Sequence, residues 1–256
     1  GRIIFMRKMG KLSFIRIQDL EGSMQLEIKS DIVGEENYQF FKKQIDVGDF
    51  IGARGEIFTT QTGEKTLRVN EFEFLGKALK PLPEKFHGIS NQETLYRERH
   101  LDLIMNEETK KRFLLRSNFI RLMREFLWDR GFIEVDTPVL QNTPSGATAR
   151  PFITHHNTYD ADVYLRISPE LTLKKLIVGG FTNVFEIARD FRNEGMDATH
   201  LQDFTMVECY QAYYNYKDNM KLIQNMLLII FFRLLIIFTT IDIVFCTMDF
   251  NGEIIL

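Results

Sequence analysis

Apolar and polar residues alternate along the first part of the chain. Phe14, Arg16 and Gln18 alternate with Ile15 and Ile17, and Gln25 and Glu27 alternate with Met24, Leu26 and Ile28. That period of two predicts half-buried strands. Arg2, Ile3 and Ile4 already read as strand, residues 50–58 and 66–75 predict two more, and residues 37–44 predict a short helix. After residue 105 the period changes. Asn106 reads as an N-cap, Glu107 and Glu108 suit a first turn, and Leu115, Phe119, Leu122 and Phe126 recur at helical spacing until Gly131 closes the helix. Pro81, Pro83 and Gly88 mark the join. The expected division is a barrel over 1–80, a linker over 81–104 and a second domain over 105–256.

Four or five short strands with one helix suggest a small barrel such as the OB-fold, followed by an α+β domain. Alternation puts Phe14 on the polar face with Arg16 and Gln18. A ring there can stack on an unpaired base, and it also fits an exposed ring at a barrel rim.

The composition supports globular domains and narrows the rest. With 256 residues, 45% hydrophobic and 26% charged, the chain has core material for one or two domains. Six Pro, sixteen Gly and two Cys exclude collagen-like, low-complexity and disulfide-scaffold classes. Cys209 and Cys246 lack CxxC spacing, which points to a reducing compartment. A net charge of −3 argues against coating nucleic acid through bulk charge but leaves local recognition open. Because the chain starts at Gly1 within a strand-like run, it reads as beginning inside a domain, and no targeting segment can be judged.

Chemistry concentrates between residues 183 and 211. Phe185, Ile187 and Phe191 share one face of a predicted strand, while Glu186, Arg192 and Glu194 share the other. Phe204, Met206, Glu208 and Tyr210 line one side of a second strand, and a loop over Gly195 to Asp203 would join the two. A face with an Arg, two Glu, a Phe and a Tyr reads as the wall of a polar pocket. Arg can fork onto a phosphate, Phe offers a ring to a base, and the remaining acids suit a cationic substrate. A solvated, salt-bridged face is the other reading.

Ser168-Pro169-Glu170 predicts an N-cap, a Pro at N1 and an acidic first turn, where Glu170 is favourable without any ligand. His155 and His156 point to opposite faces and read as structural. No P-loop, HExxH, GxSxG or GxGxxG occurs.

Phe191-Arg-Asn-Glu-Gly195, His200 and Asp203-Phe-Thr-Met-Val-Glu208 resemble motif 2 of class II aminoacyl-tRNA synthetases, and Gly131 to Leu140 resembles their motif 1. Further segments are similar to the lysyl-tRNA synthetase family of bacterial type: Gly10-Lys-Leu-Ser-Phe14, Lys85-Phe-His-Gly88, Tyr96 to Leu103, Ala149 to Asn157 and Pro169-Glu-Leu171. The resemblance runs to about residue 220. It implies an OB-fold that reads the anticodon and a partial class II catalytic domain on an antiparallel sheet. It also implies a homodimer formed through motif 1, a cytoplasmic enzyme, and no membrane partner.

The implied reaction activates lysine with ATP to lysyl-adenylate and passes the lysyl group to tRNA(Lys). Arg192 matches the catalytic arginine between the α-phosphate and the amino-acid carboxylate. Glu194 and His200 match nucleotide-binding positions, and Phe204 matches the ring under the adenine. Glu170 matches the acid for the α-amino group, Glu208 and Tyr210 match the receivers of the side-chain ammonium, and Gly146 matches a small residue of the lysine pocket. Arg7, Phe14, Gln25 and Glu64 match anticodon-contacting positions.

The sequence also departs from the family. Ser145-Gly146 stands where a Gly pair is usual, and His200-Leu-Gln-Asp-Phe204 replaces a stretch close to His-Asn-Pro-Glu-Phe. The resemblance puts motif 3 and the Mg²⁺-holding acids beyond residue 256, so the chain reads as truncated at both ends, with no metal ligands of its own. A truncated or non-catalytic tRNA-binding paralogue is the alternative. The apolar run from Met226 to Val244 is expected to be a buried helix leading into a strand, since Arg233 and Asp242 would be expensive in a bilayer.

Overall fold

The computed structural model describes residues 1–82, 92–197 and 199–247. The chain forms two compact units, one built on Gly1–Lys110 and one on Lys111–Ile243. Pro83, Gly88 and the Lys85–Gly88 segment lie outside the described residues.

The first unit opens with β1 (Arg2–Met9), β2 (Leu12–Gln18), β3 (Ser23–Lys29), α1 (Ser30–Val33), α2 (Glu35–Gln44), β4 (Phe50–Thr59) and β5 (Lys65–Gly76). The strands close into a barrel in the order β1-β2-β3-β5-β4, with β3 and β5 parallel and the other neighbours antiparallel. The expected five-stranded barrel is therefore present. The inward positions of the alternating runs fill it: Ile3, Ile15, Ile17, Leu26, Ile28, Ile51, Leu67 and Val69 are buried. Helix α2 adds Tyr38 and Phe41 to the same core. The Tyr38 hydroxyl does not go unsatisfied, lying 2.9 Å from Ser13 Oγ and donating to the Gly10 carbonyl at 3.1 Å. At the β4–β5 irregularity Gly55 lies so close to β5 that a Cβ there would sit 1.8 Å from the Arg68 carbonyl oxygen. Two short helices follow, α3 (Gln92–Arg97) and α4 (Arg99–Met105).

The second unit is built on α5 (Glu107–Trp128), β6 (Ile133–Glu134), β7 (Leu140–Gln141), β8 (Ile153–His156), β9 (Ala161–Leu165), α6 (Glu170–Val178), β10 (Asn183–Phe191), β11 (Asp203–Gln211) and α7 (Tyr216–Thr247). Asn106 Oδ1 accepts the Glu108 amide at 3.2 Å, as an N-cap should. Gly131, at φ 75°, returns its amide to the Trp128 carbonyl at 2.9 Å and ends the helix. Leu115 is not part of the buried stripe. It is 39% exposed, and the packed face of α5 begins at Phe119 and continues through Leu122, Met123, Phe126 and Leu127.

Strands β10 and β11 pair antiparallel over nine residues, with β6 parallel on the far side of β10, and β7-β9-β8 form a second, antiparallel sheet. The joining loop is shifted toward the N-terminus relative to Gly195–Asp203, because Asp203 is already paired with Phe191 and the Arg192 amide meets the Gln202 carbonyl at 2.8 Å, which leaves 193–201 as the segment between the strands.

The apolar C-terminal run departs from expectation. Helix α7 continues unbroken to Thr247, and among the described residues no strand follows β11. A helix satisfies its own backbone groups without a partner strand. Met226 and Ile230 are buried against α5, Phe132 and Phe185, while Leu227, Leu228, Phe231 and Phe232 stay about half exposed. The stretch Tyr216–Ile237 is long and apolar enough to cross a membrane by length and composition alone.

Candidate functional site

Alternation along β10 and β11 sorts their side chains. Phe185, Ile187, Val207 and Cys209 turn into the core under α5 and α7, where burial pushes the Cys209 thiol pKa up. The other face carries Glu186 opposite Glu208, Ala188 opposite Met206, Asp190 opposite Phe204 and Val184 opposite Tyr210.

Beneath that face lies a buried ionic floor. Arg166, just after β9, is 3% exposed and donates from Nη1 to Glu186 Oε1 at 2.6 Å and to the Thr137 carbonyl at 3.0 Å. Its Nε donates to the Arg189 carbonyl at 2.9 Å, and the Thr137 hydroxyl donates to Glu186 Oε2 at 2.7 Å. Asp190 is fully buried, with Oδ1 3.4 Å from Arg166 Nε and neither oxygen hydrogen-bonded. Burial pushes its pKa up to about 6, against the pull of Arg166 and with a further push from Glu208.

One end of the face holds acids beside a helix start. Helix α6 begins at Glu170, one residue later than the capping pattern suggests, yet Ser168 Oγ still accepts the Glu170 amide at 3.1 Å. The same hydroxyl donates to Glu208 Oε1 at 2.7 Å, while the Tyr210 hydroxyl donates to Glu208 Oε2 at 3.1 Å. Burial, and then Glu208, push the Tyr210 pKa up, which keeps it a donor. Gly146, at φ 88°, packs against this group; a Cβ there would come within 2.8 Å of Ser168 Oγ and 2.9 Å of Glu170 Cβ. Glu170 is ion-paired with Lys174 one turn on. Gly146, Glu170, Glu208 and Tyr210 are thus brought together.

The other end holds Arg192 and Phe204. The Arg192 guanidinium lies 5.1 Å from the centre of the Phe204 ring, and its Nε and Nη2 reach the Ile167 carbonyl at 3.4 and 3.5 Å. Glu194 Oε1 accepts the Arg150 amide at 3.2 Å, beside a cleft of about 370 Å³ lined by Thr148, Ala149, Arg150, Asn193 and Glu194. His200 is exposed and separate from this pair. Its Nδ1 lies 2.8 Å from Asp197 Oδ2, and the Thr199 amide and the His200 side chain hold Asp197 well below the usual carboxylate range. His155 sits beside Asp162 and Asp160, whereas the His156 ring packs on Tyr159, in keeping with opposite faces. Among the described residues no three or more His, Cys, Asp or Glu side chains are grouped to hold a metal ion.

The barrel carries a second candidate surface. Arg7 pairs with Phe14 across β1–β2, Phe14 with Glu27 and Arg16 with Gln25 across β2–β3. Phe14 is half buried on the outer face, next to buried Ser13 and Ile15. Gln25 donates to Thr66 Oγ1 at 2.9 Å, and Glu64 is ion-paired with Arg16. Arg7, Phe14, Gln25 and Glu64 therefore share one outer patch of β1, β2, β3 and the turn into β5. Arg68 joins it, pairing with Glu27 at 2.8 Å and lying over the Phe58 ring.

Residues 91–252 match the family described as tRNA synthetases class II (D, K and N). The chain belongs to that family. Residues 1–75 match the OB-fold nucleic acid binding domain, in agreement with the closed barrel. The lysine–tRNA ligase of Aquifex aeolicus (strain VF5) is 52% identical over 230 residues, covering 90% of this chain and 38% of its own length. That of Thermosipho africanus (strain TCF52B) is 50% identical over 230 residues, and that of Serratia proteamaculans (strain 568) 52% over 226, covering 46% and 45% of their lengths. The chain spans less than half the length of these curated relatives.

Within the class II synthetase unit, sequence reasoning missed Arg166, Thr137 and Asp190. Asp190 was legible, since it has the same parity as Glu186 on an alternating strand. Arg166 and Thr137 come from other segments, and only tertiary structure brings them under β10.

Proposed function

We propose that the full-length protein is an ATP-dependent lysine–tRNA ligase. The observation that carries this reading is Glu208, a half-buried carboxylate whose two oxygens each accept one neutral donor, Ser168 and Tyr210, beside Glu170. Such a carboxylate keeps its charge for a substrate ammonium, and an uncharged side chain would leave it unpaired.

In this reading the lysine carboxylate attacks the α-phosphorus of ATP. A P–O bond forms to lysine, the bond to the β-phosphate oxygen breaks, and lysyl-adenylate and pyrophosphate result. The lysyl group then passes to the terminal ribose of tRNA(Lys), releasing AMP. Because the substrate brings its own nucleophile, the residues contribute position and charge. Arg192 spans the α-phosphate and the amino-acid carboxylate. Phe204 stacks on the adenine, and Glu194 and His200 hold the nucleotide. Glu170 takes the α-ammonium, Glu208 and Tyr210 the side-chain ammonium, and Gly146 lines the pocket.

Arg7, Phe14, Gln25 and Glu64 read the anticodon. We also propose the barrel, linker and catalytic divisions at 1–80, 81–104 and 105–256, a homodimer through the motif 1 segment, and a cytoplasmic location, as befits bacterial relatives. Exposed Trp128, Ile133 and Leu140 around that segment support the dimer.

The test is lysine-dependent ATP–pyrophosphate exchange by the full-length protein, with charging of tRNA(Lys). Exchange that needs lysine and is lost in Glu208→Gln supports the ligase. Binding of tRNA without exchange favours the non-catalytic paralogue instead.

A further inference from the structure

We propose that Ser168 is a positioning residue for lysine recognition, holding Glu208 through its hydroxyl and Glu170 through that residue's amide so that the two acids are presented as one fixed pair. The inference rests on the lysine reading above and extends it to a residue outside the acid and aromatic set.

Three observations carry it. Ser168 is 2% exposed, and its single hydroxyl is used in both directions: the proton goes to Glu208 Oε1 at 2.7 Å, and a lone pair takes the Glu170 amide at 3.1 Å. With the proton committed to Glu208, that bond fixes the carboxylate on β11 relative to the first turn of α6. Space around the hydroxyl is tight, since Gly146 approaches closely enough that a Cβ there would come within 2.8 Å of Ser168 Oγ.

The chemistry of the donor matters as well. The charges around the site are Glu170, Glu186, Asp190 and Glu208 against Arg166, Arg192 and Lys174, which is ion-paired with Glu170 and lies 5.9 Å from the centre of the Tyr210 ring. Arg166 is spent on Glu186 and Asp190. A cationic residue in place of Ser168 would neutralise Glu208 and compete with the substrate ammonium. A neutral hydroxyl orients the carboxylate and leaves its charge in place.

Ser168 also sits where the site is joined. In the three-residue segment Arg166-Ile167-Ser168, Arg166 holds the ionic floor and the Ile167 carbonyl faces the Arg192 guanidinium. Ser168 then ties in the two acids. The end that would hold the ammonium and the end that would hold the phosphate are thus referenced to one stretch of backbone.

The experiment uses full-length wild-type protein and Ser168→Ala, measuring KM for lysine, KM for ATP, kcat in pyrophosphate exchange, and Tm. Loss of one bond to a charged group is expected to raise the lysine KM about tenfold. The ATP KM and kcat should change by less than about twofold, because the contact is present before and during the reaction alike. If Ser168→Ala lowers Tm by more than about 5 °C, Ser168→Cys, close in volume and a weak donor, supplies the same readout.

An unchanged lysine KM overturns the proposal, as does an equal rise in the lysine and ATP KM values. Absence of lysine-dependent exchange in the wild-type protein is a separate result, which removes the ligase reading itself.

Discussion

Glu186 and Glu208 stand directly opposite each other across the β10–β11 ladder, and each carboxylate has its own donors. Glu186 is held by Arg166 and Thr137 in the buried floor, whereas Glu208 is held by Ser168 and Tyr210 at the half-buried surface. Like charges across a ladder repel. Here the inner acid is matched by a cation, and the outer one is left with its charge unspent.

Removing Arg166 should therefore be costly. Arg166→Met leaves Glu186 and Asp190 buried without a counter-charge, and it is expected to destabilise the second unit by about 3 to 5 kcal/mol. Adding Glu186→Leu should recover part of that loss. Urea unfolding of the single and double variants measures both; a single variant as stable as wild type would mean that the floor carries no such load.

Asp190 makes stability depend on pH in an uncommon direction. Its carboxyl titrates near 3.8 in a solvated chain and at about 6 in the fold. Both states are protonated at low pH. Above about pH 4 the unfolded chain gives up the proton first, so native stability falls by up to about 3 kcal/mol as pH rises through 6. The groups facing Asp190 are Arg166, Arg192, Glu186 and Glu208. Asp190→Asn should gain on wild type between about pH 4.5 and about pH 7.5. Parallel stability curves for the two proteins would refute this.

The barrel has its own point of no tolerance. A Cβ at Gly55 would meet the Arg68 carbonyl oxygen at 1.8 Å and its carbon at 2.7 Å, and neither is a side chain that can swing away. Gly55→Ala is expected to cost more than about 3 kcal/mol. Gly52→Ala, where the nearest atom is Leu75 Cδ1 at 3.8 Å, should stay close to wild type. Thermal melts of the two variants make the comparison.

Phe14 tests the outer patch without disturbing the core, because Ser13 and Ile15 on either side point inward. Phe14→Ala should weaken binding of tRNA(Lys) by about 1 to 3 kcal/mol, the worth of one stacked base. Fluorescence anisotropy with labelled tRNA reads the change, and unaltered affinity would remove Phe14 from the interface.

Local pattern carried much of the fold. Period-two runs located the barrel strands and both strands of the site, because each is half buried and must alternate. Asn106, Gly131 and Ser168 marked helix ends through short-range hydrogen bonds that are equally local. The gaps arose where tertiary structure decided. Leu115 has the right spacing but lies outside the packed face of α5, and the apolar run of α7 stays helical to Thr247, which local pattern does not decide. In the site, the even-numbered face of β10 was readable and included Asp190. The pairing of Glu186 with Arg166 and Thr137 was not, since those partners come from segments 20 and 49 residues away.

The continuous nine-residue pairing of β10 with β11 has a metrical consequence. Glu208 and Phe204 are four residues apart on a single strand, about 14 Å along an extended backbone. If the ammonium of an activated amino acid rests at one and its base at the other, the strand becomes a gauge that cannot be compressed, and side-chain length is read against it. Ornithine, with the charge of lysine but one methylene less, then falls short at one of the two ends, and reach alone disfavours it by about 1 to 3 kcal/mol.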